Sequence, residues 1–390
     1  MKILVLSMNA YSLINFRGRL IESLISRNHI VHVTAPVCEI DEKILKKLDT
    51  MGAKYIPMRA ERTSLNVFKN LIILYEILNM LIKYNYDLVF SYTIKPVIFS
   101  GIITQFLDFF YNKKIQHVAF ITGLGYAFTQ GEAVFKRFLI RKLLVIFYKI
   151  ALLKTRSVVF QNPDDKYFFV ENNLLSKSAT IEMVAGSGVN LSFFKETKLP
   201  KQQVFLMLAR LIEDKGIKEY ISSAKIIKSK NPNYIFRLAG IRDSGPTAIS
   251  DDYFKMIINE GDVEYLGVLD PIQVRSNLKL CRYYVLPSYR EGMPRSVLEA
   301  IAIGRPIITT DVPGCRETVI HGVNGFLVKP RSVKSLAYFM KKISNLGDKK
   351  IMLMAKNSLS LARKKFSDLK INKKIIQIIE DKDMQKKIKK

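Results

Sequence analysis

The sequence has few of the residues that stabilise small secreted domains or hold structural metals. Its three cysteines, Cys38, Cys281 and Cys315, show no paired spacing, which argues against a disulfide framework and a cysteine zinc site. The four histidines form no H-E-x-x-H pattern, and the motif G-x-x-x-x-G-K-[ST] is absent. Zincin and P-loop NTPase functions are therefore unsupported, and a reducing, cytoplasmic setting is favoured.

Acidic residues are also scarce. There are 34 Asp and Glu against 62 Lys and Arg, a formal net charge of +28. Such a field favours polyanions, phosphorylated ligands or an anionic membrane face, and charge alone does not choose among them. One function that this charge could indicate is that of a basic, non-catalytic nucleic-acid-binding protein, although no helix-turn-helix, zinc finger or RNP-type motif accompanies the charge.

Long hydrophobic runs are missing too. No stretch of about 18 uncharged apolar residues occurs, so a membrane-spanning helix is not expected. The first ten residues, M-K-I-L-V-L-S-M-N-A, hold too short an apolar run for a signal peptide and instead predict a buried first strand. We therefore expect a protein that is cytoplasmic and at most peripheral on the inner membrane.

Short β-branched runs alternate with longer segments of helical period along the 390 residues. This alternation predicts parallel sheets with helices on both faces. The predicted strands form two series, at residues 2–7, 30–34, 54–57, 87–91, 115–119 and 157–160, and then at 204–208, 234–239, 263–266, 283–286 and 306–309. A polar stretch over 193–203 with Pro200 suits a linker. We expect α/β domains over 1–200 and 201–390, the second ending in helices over 333–345, 349–365 and 368–382.

The most informative segment is P-S-Y-R-E-G-M-P-R-S-V-L-E-A at residues 287–300, which follows a predicted strand and opens a helix. Pro294 suits the first helical turn, where its missing N–H needs no partner. Backbone N–H groups at Gly292 and Met293 would point at an incoming anion, helped by the helix dipole. The spacing of Glu291 and Glu299 allows both carboxylates to reach one cleft from different heights, where one could bind a ribose diol and the other a sugar hydroxyl. The competing interpretation makes both glutamates exposed surface residues.

A second loop, L-A-R-L-I-E-D-K-G at residues 208–216, carries Arg210 at a strand exit and Lys215 at a helix start. These two cations could hold both phosphates of a diphosphate. At an effective dielectric of about 20, a cation about 4 Å from one phosphate charge contributes up to about 4 kcal/mol. If this interaction energy is gained as charge develops on a leaving diphosphate, it corresponds to an increase in rate of nearly 1,000-fold.

Together, Arg210, Lys215, Glu291 and Glu299 resemble the donor-site pattern of the family-4 retaining glycosyltransferases. The resemblance extends to R-P-I-I-T-T-D-V-P-G-C-R-E-T-V and G-V-N-G-F-L-V within residues 304–328. It implies the GT-B fold, in which two Rossmann-like domains face a cleft. It also implies roles for the side chains: Arg210 and Lys215 neutralise the nucleotide diphosphate, Glu299 binds the ribose, Glu291 contacts the transferred sugar, and the backbone of residues 292–294 completes the pocket.

The same resemblance implies a mechanism. Members that retain anomeric configuration are described without a protein nucleophile, the acceptor hydroxyl attacking on the leaving-group face. No Asp-x-Asp pair lies in a suitable loop, consistent with basic side chains in place of a divalent cation. We therefore predict metal-independent transfer, with a UDP-sugar as co-substrate and no other cofactor.

The acceptor is predicted to bind the first domain, where three strand exits converge on one face. Arg17 is the candidate for an acceptor phosphate, the alternative being a surface arginine on a helix. His117 is expected to be a core histidine rather than a base. The predicted acceptor-binding residues are Asn15, Arg17, Lys95, Thr122, Gly123 and Gly125.

Residues 135–156, F-K-R-F-L-I-R-K-L-L-V-I-F-Y-K-I-A-L-L-K-T-R, give the strongest membrane signal. Arg137, Arg141, Lys142, Lys149 and Arg156 fall within about 140° of a helical wheel. Such a basic helix suits the anionic inner membrane face, and a core helix with a solvated basic edge is the alternative.

The chain most resembles bacterial enzymes of O-antigen, capsule and glycan assembly, including undecaprenyl-diphosphate-linked sugar α-1,3-N-acetylgalactosaminyltransferases. We thus expect a hexose or N-acetylhexosamine to pass from a UDP-sugar to a polyprenyl-diphosphate-linked glycan in lipopolysaccharide or capsule synthesis.

Overall fold

The computed structural model describes residues 1–59, 66–125, 128, 134–243, 245 and 247–381. The chain divides into two compact units. One comprises Met1–Ser187 together with the chain from Leu369 onward, and the other comprises Gly188–Asp368. Each contains one parallel sheet with helices on both faces, so the predicted α/β class is confirmed.

The sheet of the first unit has seven parallel strands in the order β3-β2-β1-β4-β5-β6-β7. Its strands are β1 (Lys2–Leu6), β2 (Ile30–Pro36), β3 (Lys54–Met58), β4 (Leu88–Tyr92), β5 (Gln116–Ile121), β6 (Ser157–Phe160) and β7 (Thr180–Met183). Every residue of β4 is buried, as expected for a central strand covered by helices on both sides.

The helices of the first unit that precede the boundary are α1 (Ala10–Asn15), α2 (Gly18–Ile25), α3 (Glu42–Thr50), α4 (Val67–Tyr84), α5 (Ile94–Tyr111), α6 (Val134–Ala151) and α7 (Pro163–Glu171). Alternate side chains of β1 enter different cores, because successive residues of a strand face opposite sides. Ile3 and Val5 pack with α2 and α3, whereas Leu4 and Leu6 pack with α4 and α5. A third core joins β5 and β6 to α5, α6 and α7.

The second unit has a six-stranded parallel sheet in the order β10-β9-β8-β11-β12-β13. Its strands are β8 (Val204–Leu208), β9 (Ile235–Ala239), β10 (Glu264–Tyr265), β11 (Tyr283–Leu286), β12 (Ile307–Thr310) and β13 (Gly325–Val328). Its helices are α8 (Ile217–Lys228), α9 (Asp251–Glu260), α10 (Pro271–Leu280), α11 (Arg295–Ile303), α12 (Val333–Ser344) and α13 (Asp348–Leu361), and the last helix of the chain is α14 (Asp368–Glu380).

The structure divides the chain differently from the predicted boundary near residue 200. The polar stretch that suggested a linker is fastened to the second unit by buried arginines. Arg282 Nη1 donates to the carbonyl of Pro200 at 2.5 Å, and the Arg305 guanidinium binds the Thr197 carbonyl at 3.4 Å. In addition, α14 belongs to the first unit, because its buried face, with Ile375 and Ile379, packs in the core of β1, α2 and α3.

The predicted basic helix is shorter than expected. α6 ends at Ala151, and Arg156 lies beyond it, buried among polar partners. The Arg156 guanidinium donates to the Gln116 side chain and to the Ile378 carbonyl, so including Arg156 in a surface stripe was wrong. The side chain of Arg137, which was also predicted to belong to the basic stripe, lies outside the described part of the structure. Within the parts of the chain that the structure describes, no helix combines the length and apolar composition needed to cross a bilayer.

Candidate active site

The loop between β11 and α11 is held rigidly from behind by β12 and the turn that follows it. The Thr309 hydroxyl donates to the Leu286 carbonyl at 2.7 Å, and the Glu291 N–H donates to the Pro313 carbonyl at 3.0 Å. Gly314 has a φ of +82°, and a Cβ there would lie 2.3 Å from the Glu291 carbonyl oxygen. Only glycine fits so close to the loop, so the position of Glu291 is fixed by backbone contacts.

The loop between β8 and α8 lies directly against this one. Gly216 has a φ of +74°, and a Cβ there would come within 2.2 Å of the Pro287 carbonyl oxygen. The Tyr289 N–H donates to the Asp214 carbonyl at 2.8 Å. Two loops that are distant in sequence are thereby locked together at the carboxyl edge of the sheet.

This packing brings two predicted site residues into contact. Lys215 Nζ donates to Glu291 Oε1, and the Ser288 hydroxyl donates to the same oxygen at 2.7 Å. Arg210 lies two residues after β8, the strand next to β11, and its Nη1 donates to Asp243 Oδ2 at 2.5 Å. Both cations are therefore held by carboxylates at one edge of the sheet. Asp243 was not foreseen, because it lies in an irregular loop after β9 that carries no recognisable motif.

The predicted glutamates are not surface residues. The side chains of Glu291 and Glu299 are only 13% and 14% exposed, which contradicts the competing interpretation of an ordinary exposed pair. Glu299 lies in the second turn of α11, and its Oε1 accepts from Arg295 Nε at 3.0 Å. Burial raises the pKa of Glu299, and the neighbouring Arg295 charge opposes this shift.

The predicted backbone site lies at the start of α11. The structure places Pro294 one residue before the helix, as its N-cap, rather than within the first turn. The Pro294 carbonyl accepts from the Val297 N–H at 3.1 Å. Gly292 and Pro294 are buried and Met293 is half-buried. All three remain candidates for contacting a donor.

A buried carboxylate supports the donor loop and was not predicted. The Tyr289 hydroxyl donates to Glu219 Oε1 at 2.7 Å, and Glu219 lies buried in the first turn of α8. The Arg331 guanidinium lies 3.9 Å from the centre of the Tyr289 ring. Burial and the Glu219 hydrogen bond raise the pKa of Tyr289. In sequence Glu219 resembles any helix-surface charge, so no signal could have identified it.

In the first unit, the predicted acceptor residues lie at the carboxyl ends of three neighbouring strands, β1, β4 and β5. Asn15 ends α1, Arg17 lies between α1 and α2, Lys95 is in the first turn of α5, and Thr122, Gly123 and Gly125 follow β5. Gly125 has a φ of +70°, and a Cβ there would lie 3.1 Å from Ile94. Thr93, which precedes α5, has a φ of +72°, an uncommon conformation for a β-branched residue.

Arg17 is not on a helix surface. It is only 2% exposed, and its guanidinium carbon lies 4.1 Å from the centre of the Phe120 ring and 5.2 Å from that of Tyr92. Beside it, the Ser12 and Tyr92 hydroxyls are 2.8 Å apart, and the Ser7 and Ser12 hydroxyls 3.1 Å apart. The surface interpretation of Arg17 is therefore wrong, and a role in binding an acceptor phosphate stays a prediction.

His117 is a core histidine, as expected. Its Nε2 lies 2.8 Å from the Ser91 hydroxyl and its Nδ1 lies 2.8 Å from the Thr155 hydroxyl. Burial lowers the pKa of His117 to about 3, so the ring stays neutral at physiological pH.

Comparison with known proteins shows the family to which the chain belongs. Residues 189–358 match the family model described as glycosyl transferases group 1. The N,N'-diacetylbacillosaminyl-diphospho-undecaprenol α-1,3-N-acetylgalactosaminyltransferase of Campylobacter jejuni is 31% identical over 376 residues, which cover 92% of this chain and 93% of the relative. The chain belongs to the group 1 glycosyl transferases. It is therefore a transferase enzyme, as the sequence motifs predicted, and the nucleic-acid-binding alternative is not supported.

Other relatives are also glycosyltransferases, and solved structures show the same fold. The CapM capsular polysaccharide glycosyltransferase of Staphylococcus aureus is 28% identical, over 84% of each chain. The UDP-Gal:α-D-GlcNAc-diphosphoundecaprenol α-1,3-galactosyltransferase of Escherichia coli is 26% identical, over 79% of this chain and 78% of its own. Sucrose-phosphate synthase of Thermosynechococcus elongatus superimposes with a TM-score of 0.79 at 19% identity, over 98% of both chains. HepE of Anabaena, solved with UDP-glucose, gives 0.75 at 17% identity, over 98% of this chain and 100% of its own. The two Rossmann-like units thus have the GT-B fold.

Proposed function

We propose that this glycosyltransferase moves a hexose or N-acetylhexosamine from a UDP-sugar to a polyprenyl-diphosphate-linked glycan, with retention of anomeric configuration. The observation that carries the donor half is the contact between Lys215 and Glu291, with Arg210 at the same edge of the sheet. The acceptor class is supported by relatives that act on undecaprenyl-diphosphate sugars. Capsule and O-antigen lipopolysaccharide assembly are the processes in which such a product is used.

The side chains of the second unit divide the work at the donor. Arg210 and Lys215 bind the diphosphate, Glu299 binds the ribose hydroxyls, Glu291 contacts the transferred sugar, and the backbone of residues 292–294 completes the site. Glu291 and Asp243 hold the two cations in place through direct contacts. The cations are thus oriented in advance, which lowers the cost of organising the site as charge develops.

The transfer requires no protein nucleophile. The acceptor hydroxyl attacks the anomeric carbon on the face of the leaving group while the bond from that carbon to the diphosphate oxygen breaks. The hydroxyl proton passes to the departing diphosphate, and UDP is released. Arg210 and Lys215 stabilise the charge on the diphosphate, each by at most about 4 kcal/mol at an effective dielectric of about 20. We propose that these side chains act in place of a divalent metal ion.

We also propose that the enzyme works in the cytoplasm at the anionic inner membrane face, because a lipid-linked acceptor resides there. The shortened helix α6 supports this assignment. Its cations Arg141, Lys142 and Lys149 are all exposed. The acceptor itself is assigned to Asn15, Arg17, Lys95, Thr122, Gly123 and Gly125 of the first unit.

The direct test is to screen nucleotide sugars against undecaprenyl-diphosphate-linked glycans and to measure the release of UDP. We expect release only when donor and lipid-linked acceptor are both present, and we expect EDTA to leave the rate unchanged. Strict dependence on added Mn²⁺ would contradict the metal-free mechanism. Salt-dependent retention on DNA without turnover of any UDP-sugar would contradict the proposed function as a whole.

A further inference from the structure

Two hydrogen-bond donors share one oxygen of Glu291, and they differ in charge and in burial. Lys215 Nζ and the Ser288 hydroxyl both donate to Glu291 Oε1, the hydroxyl at 2.7 Å. Ser288 is fully buried, whereas the Lys215 side chain is 19% exposed. The charged donor can therefore exchange Glu291 for a ligand, while the neutral donor is confined to its place.

Ser288 is held from the neighbouring strand. The hydroxyl of Thr310, the last residue of β12, donates to the Ser288 carbonyl, and Thr310 is also buried. The turn after β12 holds the other end of the same loop, where the Glu291 N–H donates to the Pro313 carbonyl at 3.0 Å. The backbones of Ser288 and Glu291 are thus fixed by separate contacts, which sets the hydroxyl at hydrogen-bond distance from the carboxylate.

Binding of a diphosphate changes what Lys215 contacts. Under the proposed function Lys215 binds the diphosphate, so its ammonium group shifts from Glu291 toward the ligand. The Glu291 side chain is only 13% exposed, so water replaces a lost donor poorly. Leaving a buried acceptor without a donor costs the desolvation energy of that acceptor, and more if the acceptor is charged. A second donor on the same oxygen lowers this cost.

We propose that Ser288 is a positioning residue, which keeps the Glu291 carboxylate hydrogen-bonded and in place while Lys215 turns toward the diphosphate of the donor. Thr310 acts one step further back, by fixing the Ser288 backbone. The inference rests on the proposed function, in which Lys215 binds the diphosphate and Glu291 contacts the transferred sugar. It adds two buried hydroxyl side chains that the proposed function does not use.

The test is calorimetric titration of the full chain with UDP, which measures binding at the donor site without any acceptor. Ser288→Ala should weaken UDP binding roughly tenfold, as expected for one hydrogen bond to a charged group. In a chain that already carries Glu291→Ala, the same substitution should change UDP binding by less than about twofold. No carboxylate then remains to be held, so the two substitutions should not be additive.

A second pair of variants tests the same contact from β12 and does not alter Ser288 itself. Thr310→Val removes the hydroxyl with little change of shape and should weaken UDP binding roughly fivefold, as expected for a hydrogen bond between neutral groups. Thr310→Ser keeps the hydroxyl and should bind UDP nearly as the wild type does. Equal UDP affinity of these two variants would overturn the role assigned to Thr310.

The matched control is Ser358→Ala. Ser358 is also fully buried, and its hydroxyl donates at 2.9 Å to the carbonyl of Arg305, which precedes β12. This variant should lose stability in urea as Ser288→Ala does, with wild-type UDP binding. Wild-type UDP binding by Ser288→Ala, or an equal loss with and without the Glu291 carboxylate, would overturn the proposal. A wild-type chain that binds no UDP would contradict the proposed function itself, and this inference with it.

Discussion

The carboxyl edges of the two sheets carry side chains of different chemistry. In the second unit the edge carries charged side chains held by opposite charges, as in the contacts of Lys215 with Glu291 and of Arg295 with Glu299. In the first unit the equivalent edge carries buried hydroxyls and one arginine, Arg17, stacked on aromatic rings. The first arrangement can exchange partners with an anionic ligand, whereas the second is already packed. The edge in the second unit is therefore suited to binding an anion through charge, whereas the edge in the first unit offers hydroxyl groups and a stacked guanidinium.

The largest effect should come from Lys215→Ala. It removes the cation that we propose faces the leaving diphosphate, so UDP release should fall roughly 100- to 1,000-fold, as when one group that stabilises a transition state is deleted. The matched control is Lys218→Ala, which removes an exposed lysine from the first turn of α8, three residues after Lys215, and should leave the rate nearly unchanged. Equal rates for the two variants would show that charge at this edge does not act on the diphosphate.

Arg17→Met should distinguish the packed edge from the charged one. It replaces a buried guanidinium that stacks on Phe120, and a desolvated cation–π contact contributes about 2 kcal/mol. We expect the free energy of unfolding in urea to fall by about that amount, while the KM for the donor stays unchanged. A higher KM for the donor with an unchanged free energy of unfolding would instead indicate that Arg17 contacts the donor.

Glu299→Gln should separate function from stability. Because burial raises the pKa of Glu299 above the ordinary value of 4.5, the protonated form favours folding below that pH, and this contribution is lost as the pH rises through the raised pKa. The glutamine side chain does not ionise, so the variant does not lose this stability as the pH rises. Its thermal midpoint should depend less on pH above 4.5, while its donor KM rises roughly tenfold, the value of one charge-assisted hydrogen bond. Wild-type donor use by the variant would refute the ribose assignment.

The smallest effect should come from Tyr289→Phe. The substitution removes the hydrogen bond to the buried Glu219 carboxylate and should lower the free energy of unfolding by about 1 kcal/mol. Since Tyr289 lies two residues before Glu291, the donor KM should rise a few fold, with kcat less affected. Glu219→Gln keeps an acceptor oxygen, so its free energy of unfolding and donor KM should be closer to those of the wild type than the values for Glu219→Ala are. If Glu219 acted only through its charge, the two variants would have the same effect.

The sequence predicted much of the fold because apolar periodicity is a local signal. Several predicted strands, such as 157–160 and 204–208, have the observed bounds. The two strands that were not predicted, β7 and β13, each lie at one edge of a sheet. In β13, Gly325 is required because a Cβ would lie 1.9 Å from the Ile307 carbonyl oxygen. Such close approaches depend on tertiary packing, which periodicity does not report.

The candidate site was predictable where its residues lie in motifs and not elsewhere. Lys215 and Glu291 are identified by their turns after strands, and the structure brings them into contact. Asp243 and Glu219 act through packing between distant segments, so their sequence neighbourhoods give no indication of it. Arg156 fits a helical wheel but is buried after the helix ends. Periodicity identifies the face that a residue would occupy in a helix and leaves the end of that helix to tertiary contacts.

The most direct measurement is a crystal structure of the protein with UDP bound in the presence of EDTA. We expect the Arg210 guanidinium and the Lys215 ammonium to lie within hydrogen-bond distance of the phosphoryl oxygens, with Glu299 at the ribose hydroxyls. Both cations facing away from the diphosphate, or UDP that binds only with a divalent ion bridging its phosphates, would contradict a basic donor site.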